Sequence, residues 1–167
     1  VVNDLDRVSS GSIDHIATTM SQSALLAARG NSGLILAQFF RGMSEALDGE
    51  SVLDARTLAR SLRIAATRSY KVLPNPVEGT MLTVYRECAE LAEQSALDHR
   101  SLENVLSEVT AGSLDTVRRS PELLPVLAEA EVVDSGAFGF AVILDGALRT
   151  LTGEDPVGRV IEVPMPK

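Results

Sequence analysis

The sequence predicts an all-α fold, an antiparallel helical bundle or barrel of about seven helices. Three observations point there. Apolar residues recur at three- and four-residue spacing along most of the chain, and no segment alternates apolar with polar residues as a half-buried strand does. The breaks between periodic stretches are short clusters of Gly, Pro, Asp and Ser, the kind of connection found between antiparallel neighbours. With 167 residues, 45% of them hydrophobic, the chain has the material for one domain with a proper core.

The first helix is expected from Ser12 to Ala28, where Ile13, Ile16, Met20, Ala24 and Ala27 share a face. After Asn31-Ser32-Gly33 the periodicity resumes with Leu36, Phe40, Met43 and Leu47. Leu34, Ile35 and Phe39 widen that stripe into a helix buried on most sides, and Asp48-Gly49 stops it. Asp54 is placed to cap a third helix whose core face is Leu58, Leu62, Ala65 and Val72. Pro74-Asn75-Pro76 is a stiff connector. A fourth helix follows from about Gly79, with Met81, Val84, Cys88 and Leu91 on one side. Leu102, Val105, Leu106, Val109 and Val117 mark a fifth, with a bend expected near Gly112. Ser120-Pro121-Glu122 reads as the start of a short sixth helix ending near Ala130: a capping serine, proline at the first helical position, then an acid. Ala137, Ala141, Leu144, Leu148 and Leu151 define the seventh. Residues 1–152 then form the helical domain, and 153–167 an irregular tail or linker in which Val160-Ile161-Glu162-Val163 has extended character.

Composition excludes several functions. A net charge of −8 offers neither phosphate neutralisation nor a polybasic patch, which argues against nucleic acid and anionic membranes as partners. Aromatics are 4% with no Trp, so base-stacking platforms are scarce. The longest apolar run, Ala137 to Leu144, is eight residues, far short of a membrane span. The single cysteine, Cys88, has no internal partner, sits on the buried stripe of its helix and reads as an inert core thiol; it suggests a reducing compartment, and a cytoplasmic location is expected. The chain opens on Val1-Val2-Asn3-Asp4, with no initiator Met and no secretory signal pattern, which suggests a processed product or a piece of something longer.

Chemistry has three places to sit, each where one helix ends and the next begins. In Ala28-Arg29-Gly30-Asn31-Ser32-Gly33 the glycines let a ligand approach the backbone, and the free N–H groups and dipole of the following helix favour an anion; an ordinary interhelical turn with an Asn or Ser cap explains the same residues. In Pro76-Val77-Glu78-Gly79-Thr80-Met81, Thr80 is a cap or a ligand to an oxygen, Met81 could cover an aromatic ring, and Glu78 is a general base or an N-terminal acid. In Val132-Val133-Asp134-Ser135-Gly136-Ala137-Phe138-Gly139, small residues would admit a planar group beside Asp134, or Asp134 simply caps the last helix. None of these is a Walker loop or a dinucleotide fingerprint. His15 and His99 are too few for a metal cluster or a catalytic triad, and His99 falls in a solvated turn.

Taken in order, AARGNSGLILAQFFRG (Ala27 to Gly42), NPVEGTMLTV (Asn75 to Val84) and SPELLPVLAEAEVVDSGAFGF (Ser120 to Phe140) resemble the DhaL-type (DAK2) kinase domain. The nearest variety is the nucleotide-binding domain of bacterial fatty acid kinases, also described as dihydroxyacetone-kinase-like proteins. The similarity runs from about Ile13 to Leu151; each motif alone is weak, and the three in order and spacing make the signal.

The resemblance implies a barrel of antiparallel helices with ATP or ADP and a divalent metal at one end. It implies that Asn31, Ser32 and Gly33 bind the phosphates, that Gly79, Thr80 and Met81 line the nucleotide pocket, and that Asp134, Ser135 and Gly136 close over adenine and ribose. The acceptor it implies is a fatty acid carboxylate presented by a DegV-type carrier protein. Dihydroxyacetone or a similar small ketone or polyol is the alternative, and a non-catalytic helical binding module a further one. A homodimer stays open, and no residue is assigned a catalytic role. The family's Asp-Gly-Asp-Thr-Gly-type metal loop, which carries Mg²⁺ upstream of the first glycine loop, has no counterpart: Asp4 and Asp6 have a D-x-D spacing without the Thr-Gly. The chain alone is then expected to be a poor kinase, either as a fragment lacking the first helix and metal loop, the favoured explanation, or as a natural form without them.

Overall fold

The computed structural model describes residues 1–8, 11–98 and 100–155. Among these are eight helices and no strand: α1 (Val2–Leu5), α2 (Ile13–Ala27), α3 (Gly30–Ala46), α4 (Ala55–Tyr70), α5 (Met81–Leu97), α6 (Leu102–Leu123), α7 (Pro125–Glu129) and α8 (Ser135–Thr152). The expected 160–163 extended piece, most of the tail and the turn at His99 lie outside the described residues. Seven of the eight helices correspond to the periodic segments; α1, too short to show a period, is additional.

Consecutive long helices run antiparallel. Across α3 and α4, Arg68 reaches Gln38 and Glu45 while Arg60 donates to the Ala46 carbonyl, so rising numbers on one helix meet falling numbers on the other. Arg63–Glu93 and Tyr70–Glu78 give the same sense across α4 and α5, as do Glu87–Thr116 and Cys88–Val109 across α5 and α6. The helix starts of α3, α5 and α8 therefore share one end of the bundle with the last turn of α6. An apolar cavity of about 310 Å³ lies toward the other end, among Met20, Phe40, Leu58, Leu106, Leu144 and Leu151.

The core is built from the predicted faces of α3, α4, α5, α6 and α8. At its centre Phe39, Tyr85 and Phe140, one from each of three helices, have ring centroids 4.3–4.8 Å apart, two of the three pairs edge-to-face. Cys88 is an inert core thiol, as its stripe suggested: burial pushes it up to about 12, and its Sγ lies 3.8 Å from the Val109 carbonyl oxygen. Several residues of the expected apolar faces stand elsewhere: Ile16, Leu34 and Leu91 are exposed. Leu151 is half exposed near the end of α8, and Val72 falls beyond the end of α4. Gly112 sits inside the continuous helix α6, and the end of the Leu91 side chain from α5 lies over it where a Cβ would be.

The expected helix start at Ser120-Pro121-Glu122 is corrected by the structure. These residues form the last turn of α6, and the next helix begins at Pro125 with Leu124 as its N-cap. Proline has no N–H to give the carbonyl four residues back, that of Val117. The Ser120 hydroxyl supplies the missing donor, reaching the Val117 carbonyl at 2.7 Å, so the helix passes through Pro121. A sequence with two prolines four residues apart, each in the company of Leu and Glu, has two places for a start; side-chain compensation decides for the second.

The tightest helix crossing is between α3 and α4. A Cβ on Gly42 would stand 2.5 Å from the Ala65 Cα and 3.0 Å from the Ile64 carbonyl oxygen, both backbone atoms. Gly42→Ala is expected to cost about 1–3 kcal/mol in urea unfolding, whereas Gly146→Ala, with open space around it in α8, should stabilise by about 0.5–1 kcal/mol. Equal effects at the two positions would contradict the crossing.

Candidate functional site

Helix rise places the three predicted loops relative to one another. Tyr85 lies four residues into α5 and Phe140 five beyond Ser135, about 6–8 Å along each helix, whereas Phe39 lies nine beyond Gly30, about 13 Å. Because the three rings meet, the starts of α5 and α8 stand level, and the start of α3 projects roughly one turn further.

The second loop is held from three sides. Gly79 has a φ of +81°, where a side chain is strained, and a Cβ there would lie 2.8 Å from Leu124 Cβ and 2.9 Å from the Ser120 carbonyl oxygen. Its N–H donates to Thr83 Oγ1 at 2.8 Å, and the same hydroxyl donates to Glu78 at 2.7 Å. Thr80 caps α5, accepting weakly from the Leu82 N–H and donating to the Val77 carbonyl at 2.7 Å. Met81 points its bulk into the core, 5% exposed, with its Sδ 3.3 Å from where a Gly136 Cβ would be.

The third loop leans on the same turn of α6. Asp134 accepts from the Ala137 N–H at 2.7 Å, capping α8, and its own N–H donates to Ser120 Oγ at 3.1 Å. Ser135 is exposed and Gly136 half-buried beside Met81. Two of the predicted triplets, Gly79-Thr80-Met81 and Asp134-Ser135-Gly136, are thus joined through Met81, Gly136 and the end of α6.

The first triplet differs from expectation. Asn31, Ser32 and Gly33 form the first turn of α3, and the N-cap is Arg29, in extended backbone, with no side-chain cap. Gly30, at φ +64°, makes the reversal from α2. Asn31 and Ser32 therefore do not cap; both are exposed, at a helix start whose N–H groups no capping side chain occupies.

Glu78 is not placed as a free base. It accepts from Tyr70 at 2.8 Å and Thr83 at 2.7 Å, with Arg86 at 3.2 Å. Burial pushes its pKa up, but the hydrogen bonds from Thr83, Tyr70 and Arg86 outweigh burial and hold it below the usual 4.5. Burial, with the bond to Glu78 second, pushes the Tyr70 phenol up to about 12 and keeps it a donor. Of the hydroxyls that fix both loops, Thr83 escaped the sequence reading and Ser120 entered it only as a helix cap; a threonine and a serine on otherwise apolar buried faces were the available signal. The Tyr85 hydroxyl is buried with no hydrogen-bond partner. Among the described residues no group of three or more His, Cys, Asp or Glu side chains could hold a metal ion, and Asp4 and Asp6 lie in and after α1. No helix among them is long and apolar enough to cross a membrane.

A helical bundle with three glycine-bearing helix starts at one end is the class of protein these features define. The sequence family described as the DAK2 domain matches residues 1–149. The chain belongs to the DAK2 domain family, a kinase-related family of nucleotide-binding modules. It is 39% identical over 142 residues to the uncharacterized protein SSP1546 of Staphylococcus saprophyticus, covering 85% of this chain and 26% of that protein. It is 36% identical over 151 residues to protein YloV of Bacillus subtilis, covering 90% and 27%. An uncharacterized Staphylococcus aureus protein is 34% identical over 154 residues, covering 92% and 28%. The chain thus spans about a quarter of the length of these relatives.

Two outcomes are expected. A carboxyl whose folded pKa is depressed contributes stability above its unfolded pKa and loses it as pH falls through the folded one. Glu78→Gln should therefore unfold more easily than wild type at pH 7, with the gap closing below about pH 4.5; a gap constant down to pH 3 would mean that the charge of Glu78 is irrelevant. Tyr85→Phe removes an orphaned hydroxyl, so urea unfolding should show no loss, or a gain of up to about 1 kcal/mol.

Proposed function

We propose that this chain is the ATP-binding part of a kinase that transfers the γ-phosphoryl group to an acceptor, a fatty acid carboxylate presented by a DegV-type carrier protein. The observation that carries the reading is that the Gly79-Thr80-Met81 and Asp134-Ser135-Gly136 turns come together through Met81, Gly136 and the last turn of α6, at the end of the bundle where α3 starts without a side-chain cap. Nucleotide would lie along that end. The N–H groups of the first α3 turn, with Asn31 and Ser32, would receive phosphate, since a helix start combines free donors with the positive end of the dipole. Gly79, Thr80 and Met81 would line the pocket, and Asp134, Ser135 and Gly136 would close over adenine and ribose.

Binding an anion on a chain of net charge −8 needs such local donors. Phosphoryl transfer also draws on divalent metal to neutralise charge between phosphates. Among the described residues no cluster of three or more carboxylate, histidine or cysteine side chains offers the metal a site. In this reading the metal loop and a first helix belong to the longer protein, ahead of the segment given by Val1.

Calorimetry with ATP and Mg²⁺ on this chain, and on the protein extended upstream, tests the assignment. Metal-dependent binding is expected in the extended protein, with weaker binding by the chain alone. No binding by either removes the kinase reading and leaves a helical binding module. Phosphate transfer to a fatty acid with its carrier, set against dihydroxyacetone, decides the acceptor.

A further inference from the structure

The Ser120-Pro121 pair does more than end α6. The Ser120 hydroxyl donates to the Val117 carbonyl at 2.7 Å, in place of the N–H that Pro121 lacks, and accepts the Asp134 N–H at 3.1 Å. Its carbonyl accepts the Leu124 N–H at 3.0 Å and stands against Gly79. One fully buried residue thus touches both glycine loops, the second by its carbonyl and the third by its side chain. Between α7 and α8 the chain runs from Ala130 to Asp134 without regular structure, and Glu131 adopts a φ of +54°. In that stretch the bond at Asp134 ties the cap of α8 to the rigid end of α6.

We propose that Ser120 is a positioning residue of the nucleotide site, fixing the height of the Asp134-Ser135-Gly136 turn over Gly79-Thr80-Met81. The proposal rests on the nucleotide reading above. Proline makes the device specific. With an ordinary residue at 121 the Val117 carbonyl would have its own helical donor and the Ser120 bond would be a second one, as the Ser113 bond to Thr110 is. With Pro121 the hydroxyl hydrogen is committed to Val117, which leaves the oxygen lone pairs directed outward as acceptor for Asp134.

Ser113 supplies a matched control. It lies in the same helix, is equally buried, and its hydroxyl makes the same kind of bond three residues back, to the Thr110 carbonyl at 2.7 Å. It makes no second bond to the site among those of the described residues. Ser120→Ala should therefore cost more stability than Ser113→Ala, because it leaves both the Val117 carbonyl and the Asp134 N–H without this partner, and only Ser120→Ala should reach the loop.

Two readouts test this: hydrogen exchange of the 131–137 segment on this chain, and the ATP dissociation constant of the form that binds ATP. Ser120→Ala should speed exchange at Asp134 and weaken ATP by about tenfold each, the scale of one lost hydrogen bond. Ser113→Ala should leave both within about twofold, a level that corresponds to no lost bond. Unchanged exchange at Asp134 in Ser120→Ala overturns the proposal, as does an equal loss of ATP affinity in both variants. If the wild-type protein binds no ATP in any form, the nucleotide reading fails and a positioning role in that site fails with it. The exchange rates then still decide whether Ser120 fixes the turn.

Discussion

The meeting of Phe39, Tyr85 and Phe140 governs the geometry of the functional end of this bundle. Each ring sits a fixed number of residues from its helix start, and an α-helix converts that number into length at 1.5 Å per residue. Once the rings pack, the heights of the α3, α5 and α8 starts have no further freedom along the bundle. Aromatic packing in the core thereby sets the level of loops whose own sequences are mostly Gly, Ser, Thr and Asp, residues with little power to order themselves. The phenol of Tyr85 carries an orphaned hydroxyl into this cluster, so its ring, and not its polar end, is what the packing uses.

Lateral placement comes from a different source. The last turn of α6 lies under both Gly79 and Asp134, and polar contacts there are made by buried hydroxyls with two roles each. Thr83 accepts from the Gly79 N–H and donates to Glu78; Ser120 accepts from the Asp134 N–H and donates to Val117. A hydroxyl can do this because it has one hydrogen and two lone pairs on a single small atom. Glu78, Tyr70 and Arg86 extend the Thr83 side outward in a network whose carboxylate is fully engaged.

Charge follows the same division between local and global. The chain is acidic, and two arginines near this end are matched to carboxylates, Arg86 to Glu78, Glu87 and Glu90, and Arg119 to Glu87 and Asp115, while Arg29 at the start of α3 donates to the Leu26 and Ala28 carbonyls. Exposed pairs of this kind add at most about 1 kcal/mol each, but they leave the field at the loops to backbone dipoles. At the start of α3 no side chain caps the N–H groups, and the Arg29 guanidinium beside them adds positive charge of the same sign as that end of the dipole.

What the sequence determined by itself was the set of helices and most of their inward faces, because a period of three to four is written in the order of residues and needs no partner to be read. Asp54, Thr80 and Asp134 were legible as caps for the same reason: a cap bonds within its own turn. The three glycine loops were legible as candidates, and their order carried the family. The tertiary structure alone decided the rest. That α6 runs through Pro121 depends on where the Ser120 hydroxyl turns, and Ser-Pro-Glu is an equally good helix start until that bond is made. That Asn31 and Ser32 stand inside α3 instead of capping it depends on Gly30 taking the reversal. The joining of the Gly79 turn to the Asp134 turn depends on Ser120, some forty residues from the one and about fourteen from the other, and contacts at that separation leave no trace in local pattern.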